Sequence, residues 1–355
     1  MPATATHTRR IVVADDSALM RRLLADALVR QGFAVVGEAA DGDGALALCQ
    51  RERPDALTLD LQMPGLDGLG VLRALRERRA APVPVVVVSA FSPAAGARAV
   101  DALAEGAYDL VAKPAVGESL GAFCDELGRK VSEAAGAPGG HARRLATRPH
   151  VPLGDDAPAA DGLAARRSAT GTVVVIACST GGPRALGALV PALPAPLGAG
   201  GILIQHMPQG FTASLAARLD ARTALSVREA RPGDVLDPSA LLVAPGGAHL
   251  RVGADRRLRL ADDAPVGGLR PRADLTVADL ARTFGRRVLL VVLTGMGRDG
   301  VEGAWAVKRA GGRVLCEAES SCAVYGMPRA VADAGLADAV LPLDKLARAV
   351  ARELA

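Results

Sequence analysis

The chain reads as two α/β domains in series, each built on a parallel sheet, with a structureless join between them. Three observations lead there. Short apolar runs alternate with amphipathic stretches in both halves, the pattern of strands covered on both faces by helices. From 131 to 169 the chain reads "VSEAAGAPGGHARRLATRPHVPLGDDAPAADGLAARRSA"; Ala, Gly and Pro supply 20 of these 39 residues, and neither a helical nor a strand period survives. The 355 residues are enough for two cores. The expected boundaries are a first domain at 9–130, a linker at 131–169 and a second domain at 170–355.

In the first domain the apolar runs 10–15, 34–38, 56–60, 83–89 and 109–112 predict five strands. Stretches such as 20–30 and 69–79 carry the helical spacing between them. Five such units make a doubly wound parallel sheet, whose functional residues gather at the carboxyl ends of the strands. In the second domain the runs 172–178, 201–205, 241–243, 288–293 and 313–316 predict a second parallel sheet, and "HLRVGADRRLRLA" (249–261) an antiparallel excursion.

Composition narrows the partners. Half the residues are apolar but only 2% are aromatic, so both cores are built from Ala, Val and Leu. The formal charge of +4 comes from dispersed arginines, and no helix-turn-helix or zinc-finger pattern accompanies it, so no nucleic-acid partner is expected. The five cysteines, at 49, 124, 178, 316 and 322, form no paired framework and no metal-ligand spacing, as in reduced cytoplasmic proteins. "MPATATHTRR" lacks the apolar core of a signal peptide, and no run is long enough to span a bilayer. A cytoplasmic protein without membrane insertion is expected.

Polar residues punctuate the strand ends of the first domain. The first strand ends in Asp15-Asp16, the third in Asp60 and the fourth in Ser89, and Lys113-Pro114 follows the fifth. Singly, such aspartates are helix caps. On one rim, three carboxylates repel one another unless a cation sits among them, and oxygen-only ligands suit Mg²⁺. With a lysine and a hydroxyl nearby, such a site stabilises a phosphoryl group passing to a carboxylate oxygen. The segments "VVADDSALMRRLL" (12–24), "LDLQMPGLDGLGVL" (59–72), "VVVSAF" (86–91) and "AKP" (112–114) closely resemble the receiver domain of two-component response regulators. The resemblance implies that a histidine kinase phosphorylates Asp60 and that Asp15 and Asp16 hold Mg²⁺ with Asp60 and the Gln62 carbonyl. It also implies that Ser89 binds a phosphoryl oxygen and Lys113 pairs with the phosphoryl charge. Many receivers carry a switching aromatic three residues before the lysine; here Leu110 stands there, with Tyr108 close by.

In the second domain "VVVIACSTGGP" (173–183) runs a buried strand into Ser179, His206 follows "GILIQ", and Asp299 lies in "LTGMGRDG" (293–300). Parallel-sheet geometry brings all three to one rim. Serine needs a base to take its proton, and the imidazole needs a third group to fix its tautomer; Ser, His and Asp fill those roles. Each also has a bland explanation, as helix cap, structural histidine and turn residue. The order Ser…His…Asp, with Ala177 in place of the first Gly of G-x-S-x-G, sets the chain apart from α/β-hydrolases.

"ACSTGGP" (177–183), "IQHMP" (204–208), "VAPGGAHL" (243–250), "LTGMGRDG" (293–300) and "VYGMP" (324–328) together resemble the catalytic domain of the CheB chemotaxis methylesterases. With a receiver and linker in front, the resemblance covers nearly the whole chain. It implies a Ser179–His206–Asp299 triad, Thr180 beside the nucleophile and the Met296 backbone N–H as oxyanion donor. It implies hydrolysis of glutamyl methyl esters on methyl-accepting chemoreceptors, and extends to deamidation of receptor glutamines by the same acyl chemistry, with no cofactor in the esterase site. On this reading a phosphoryl on Asp60 shifts the population toward an active form. Two departures stand out: Cys178 replaces the usual Ala before the serine, and "GGLRPRADLTVADL" (267–280) is looser than the usual segment. Alternation along the strand turns the Cys178 thiol away from the rim. The rival readings are a signalling adaptor that catalyses nothing and a phosphate-binding domain using the Gly-rich turn after Ser179.

Overall fold

A computed structural model describes residues 8–77, 83–90, 92–114, 119–136 and 171–355. The chain divides into two compact units, here described separately.

The first unit holds a five-stranded sheet of β1 (Arg10–Ala14), β2 (Ala34–Ala39), β3 (Ala56–Leu59), β4 (Val85–Ser89) and β5 (Asp109–Ala112). The order is β2-β1-β3-β4-β5 and every pairing is parallel, the doubly wound arrangement expected. Helices α1 (Ala18–Arg30), α2 (Gly42–Glu52), α3 (Gly68–Glu77), α4 (Pro93–Glu105) and α5 (Leu120–Gly136) connect and cover the strands. β1, β3 and β4 are buried almost throughout, which is why Val, Ile, Leu and Ala make up all but Arg10, Thr58 and Ser89 of them.

The linker begins later than its composition suggests. Helix α5 continues to Gly136, so residues 131–136 belong to it. Phe123, Leu127, Val131 and Ala134 are buried along it at helical spacing. The Arg9 guanidinium also reaches across to the Ser132 hydroxyl at 2.7 Å. Tertiary packing thus holds an Ala/Gly-rich stretch that has little pattern of its own. The remainder of the expected linker lies outside the described residues.

The second unit is a seven-stranded parallel sheet in the order β14-β13-β12-β6-β7-β9-β8. Its strands are β6 (Val173–Cys178), β7 (Gly201–Gln205), β8 (Ser226–Glu229), β9 (Ala240–Val243), β12 (Val288–Val292), β13 (Arg313–Glu317) and β14 (Ala339–Leu341). β10 (His249–Val252) and β11 (Leu258–Ala261) form the antiparallel excursion. Helices α6 (Gly182–Leu189), α7 (Phe211–Asp220), α8 (Ala273–Phe284), α9 (Val301–Arg309), α10 (Met327–Asp333) and α11 (Leu343–Leu354) complete the unit. Val173, Val175, Ile202, Ile204, Leu290 and Val292 lie in one buried cluster with Val277 and Leu280 of α8. Burying each such side chain contributes about 1.5–3 kcal/mol, so a core with few aromatics still holds.

β8 and β14 were not expected from the sequence. They are the two edge strands, and "SVRE" and "AVL" are short and largely uncovered, so neither carries the buried-strand pattern. Strand order reverses at β6: β7 and β9 lie on one side, β12 and β13 on the other. The carboxyl end of β6 is therefore the switch point where a ligand crevice forms.

Candidate functional site

Ser179 and His206 each follow the last residue of a paired strand. Cys178 of β6 is in register with Gln205 of β7, so the serine and the histidine leave adjacent parallel strands side by side. The His206 N–H continues the ladder to the Cys178 carbonyl at 3.0 Å. Gln205 locks the pair: its amide nitrogen donates to the Ser179 carbonyl at 3.0 Å and to the His206 carbonyl at 2.9 Å. Ser179 then enters α6 through Gly181, at φ +80°, where a Cβ would lie 2.4 Å from the Ala323 Cβ. Only glycine serves both the left-handed turn and that close approach.

Asp299 reaches this pair from the loop after β12. Its Oδ2 lies 2.7 Å from His206 Nε2, and the two side chains are 1% and 7% exposed. Oδ2 also accepts the Ala273 N–H at 2.7 Å, and Oδ1 accepts those of Asp274 and Gly300, each at 3.0 Å. Burial works against the Asp299 charge, but the His206 ring and the N–H donors outweigh it and hold the carboxyl well below the usual range. A proton on Nε2 facing Asp299 leaves Nδ1 as the basic nitrogen. Nδ1 is buried and makes no hydrogen bond, so the contact between Ser179 and His206 is not closed in this structure.

The loop carrying Met296 is pinned against Ser179. The Ser179 N–H donates to the Thr294 carbonyl at 3.1 Å, the Thr294 hydroxyl donates to the Thr180 carbonyl at 3.0 Å, and the Thr294 N–H donates to Glu317 Oε2 at 2.9 Å. At Gly295 a Cβ would stand 2.8 Å from the Ser179 Cβ, so the loop approaches the serine as closely as backbone can. Thr180 is buried, whereas the Met296 side chain is 43% exposed. Cys178 is fully buried, its thiol donating to the Gln205 amide oxygen at 3.0 Å, and burial with the Glu317 charge pushes the thiol pKa up. Burial of this kind keeps the group in its unreactive thiol form.

In the first unit the expected residues also converge. One carboxylate oxygen each from Asp15, Asp16 and Asp60 lies within 4.8 Å of the others. Lys113 Nζ stands 2.7 Å from both Asp15 Oδ2 and Asp60 Oδ2. Burial raises the Asp15 pKa despite the lysine; burial opposes the Lys113 charge, but its two carboxylate partners outweigh it and hold the ammonium above its usual value. Ser89 is buried at the end of β4, and its carbonyl accepts the Lys113 N–H at 2.8 Å. The Gln62 N–H lies 3.3 Å from Asp60 Oδ1, which brings that residue's backbone beside the pocket. Three convergent carboxylates, one exposed, suit a hard divalent cation. Leu110 and Tyr108 are both buried.

Gln205, Thr294, Glu317 and Asp274 were not anticipated as parts of the site. Gln205 had a signal: a polar amide ends an otherwise apolar buried strand directly before the histidine. Asp274 lay within the loose segment 267–280, and nothing local marks it.

Fold and site define a class: a parallel α/β unit with three carboxylates and a lysine gathered in one pocket, followed by one that gathers Ser, His and Asp on a single sheet rim. Residues 11–123 match the response regulator receiver domain, and residues 174–350 match CheB methylesterase. A relative from Symbiobacterium thermophilum, named protein-glutamate methylesterase/protein-glutamine glutaminase, is 44% identical over 97% of this chain and 96% of its own. One from Pseudomonas aeruginosa, with the same name and the suffix 2, is 40% identical over 97% of each chain. The solved CheB methylesterase catalytic domain of Thermotoga maritima is 40% identical, covers 52% of this chain and 99% of that one, and superposes with a TM-score of 0.50. This chain belongs to the CheB methylesterase family, with a receiver domain ahead of the methylesterase domain.

Proposed function

We propose that the protein hydrolyses glutamyl methyl esters on chemoreceptors, under the control of phosphorylation at Asp60. The observation that carries this reading is the rim itself: Ser179 and His206 leave adjacent strands side by side, with Asp299 on His206 Nε2. Ser179 Oγ attacks the ester carbonyl and its proton passes to His206 Nδ1. Asp299 holds the other nitrogen protonated and stabilises the imidazolium. The tetrahedral oxyanion takes the Met296 N–H, with Thr180 beside the nucleophile. Collapse expels methanol, protonated by His206, and leaves an acyl-serine. Water, deprotonated by the same imidazole, then releases the glutamate carboxylate. A primary amide in place of the ester gives glutamine deamidation by the same steps, with ammonia leaving. The names of the relatives, methylesterase and glutaminase together, support both activities.

In the receiver domain, Asp15, Asp16, Asp60 and the Gln62 carbonyl would hold Mg²⁺. The ion would supply positive charge to an incoming phosphoryl group. Asp60 accepts that group from a histidine kinase, Ser89 binds one of its oxygens, and Lys113 exchanges its present carboxylate partners for the phosphoryl charge. The experiment is methanol release from methylated receptor, with and without a small phosphodonor and Mg²⁺. Release that rises with the phosphodonor is expected. No release in either condition would leave the adaptor reading standing.

A further inference from the structure

None of the six described helices of the second unit has a side-chain cap from its own N-cap residue, α8 and α9 among them. The residues before α8 and α9, Arg272 and Gly300, make no side-chain cap bond. Their first-turn N–H groups are filled crosswise instead. Asp299, just ahead of α9, accepts from Ala273 and Asp274 of α8 at 2.7 and 3.0 Å. Asp274 Oδ1, on α8, accepts from Gly300 and Gly303 at the start of α9, at 2.8 and 2.9 Å. Both carboxylates are buried. Arg272 spans them, with Nη2 at 2.8 Å from Asp274 Oδ2 and Nε at 3.4 Å from Asp299 Oδ1.

We propose that Asp274 is a positioning residue for the His206–Asp299 pair, acting by capping the helix that directly follows Asp299. This rests on the triad reading above. Gly300 is joined to Asp299 by one peptide bond, so whatever fixes the Gly300 N–H fixes where the Asp299 carboxylate can stand. The exchange is reciprocal: Asp299 sets the start of α8, which places Asp274, and Asp274 sets the start of α9, which places Asp299. Two caps that each hold the other's backbone allow less drift than two helices capped separately. Four different backbone N–H groups and one guanidinium leave neither buried carboxylate free to turn. Burial, and then the Asp299 charge, raise the Asp274 pKa, consistent with two acids packed at close quarters. Displacement of a positioned group by about 1 Å can cost on the order of 10²-fold in rate.

The test uses the full chain and three variants, Asp274→Ala, Asp274→Asn and Asp299→Asn. Turnover and KM are read by methanol release, the His206 Nε2–H by its downfield proton NMR line, and folding by circular dichroism. Asp274→Ala is expected to lose about 10- to 100-fold in kcat with KM within about twofold, and its NMR line to move upfield or vanish. Asp274→Asn keeps a carbonyl oxygen for the Gly300 and Gly303 N–H groups, so it should recover kcat to within about fivefold and keep the line. Wild-type kcat and an unmoved line in Asp274→Ala overturn the proposal, as does equal loss in the alanine and asparagine variants. Should the alanine variant not fold, Asp274→Ser replaces it, since its hydroxyl is too short to hold both N–H groups; the same loss is expected, and wild-type behaviour again overturns. Asp299→Asn separates the two readings. Loss there without loss in Asp274→Ala refutes the positioning role alone, whereas no loss in Asp299→Asn refutes the triad, and the NMR line still reads the geometry.

Discussion

Replacing Asp299 with Asn keeps size and removes charge, and the structure says how the amide must sit. With its nitrogen in the Oδ1 place, the amide faces the N–H groups of Asp274 and Gly300 and lies beside Arg272. Two buried hydrogen bonds are then lost, each costing about 1–3 kcal/mol. With its nitrogen in the Oδ2 place, it opposes only the Ala273 N–H and can donate to His206 Nε2. The second placement is cheaper by about one such bond. It requires Nε2 to be unprotonated, so the proton moves to Nδ1, and the nitrogen that the proposed mechanism uses as base no longer is one. The corresponding change in a serine protease costs about 10⁴-fold. A well-solvated site would lose less, but these side chains are only 7% and 1% exposed, so a loss of about 10³- to 10⁴-fold is expected here. It should fall in kcat, with KM little changed. Methanol release under saturating receptor measures the rate, nitrogen NMR of the imidazole reads the tautomer, and circular dichroism checks the fold. A loss below about threefold, or an Nε2–H tautomer in the variant, refutes the reasoning.

Asp60→Asn should block labelling by small phosphodonors and leave a basal esterase rate that no longer answers to them; a variant still stimulated would place the phosphoacceptor elsewhere. We propose that the unphosphorylated receiver holds the esterase back, so deleting residues 1–169 should raise the basal rate, and a truncated protein no faster than the unphosphorylated whole would mean that the receiver acts by another route, such as recruitment. The pH dependence of folding follows from Asp299, whose carboxyl is held below its usual 3.8. A depressed carboxyl stabilises fully above its unfolded value and loses that contribution as pH falls toward its folded one. The stability gap between wild type and Asp299→Asn, measured by urea unfolding, should therefore shrink as pH falls below about 4. A gap that widens on acidification would reverse the assigned shift.

The interior strands of both sheets were legible because burial on two faces writes itself into the chain as unbroken apolar runs, as in "VVVIAC" and "VLLVV". The edge strands β8 and β14 were not, because an edge strand faces solvent and its pattern dissolves into polar or very short segments. The continuation of α5 was missed for the opposite reason: Val131 and Ala134 pack inward, but the Ala- and Gly-rich sequence around them has no contrast between faces. Ser179, His206 and Asp299 were readable because parallel sheets put their polar residues at strand ends. What the sequence did not disclose is the support around them. Gln205 bonding two carbonyls and Asp274 capping a helix 26 residues further on depend on contacts between distant segments.

Every step of the proposed mechanism starts from Ser179 as the nucleophile that opens the ester. The most direct test of that role is methanol release by Ser179→Ala from methylated receptor, beside wild type at equal concentration, with the melting temperature of each recorded. The hydroxyl stands at the sheet rim outside the packed core, so the variant should melt with wild type and release no methanol above the uncatalysed background. A folded Ser179→Ala protein that still releases methanol at a rate near wild type would contradict the account.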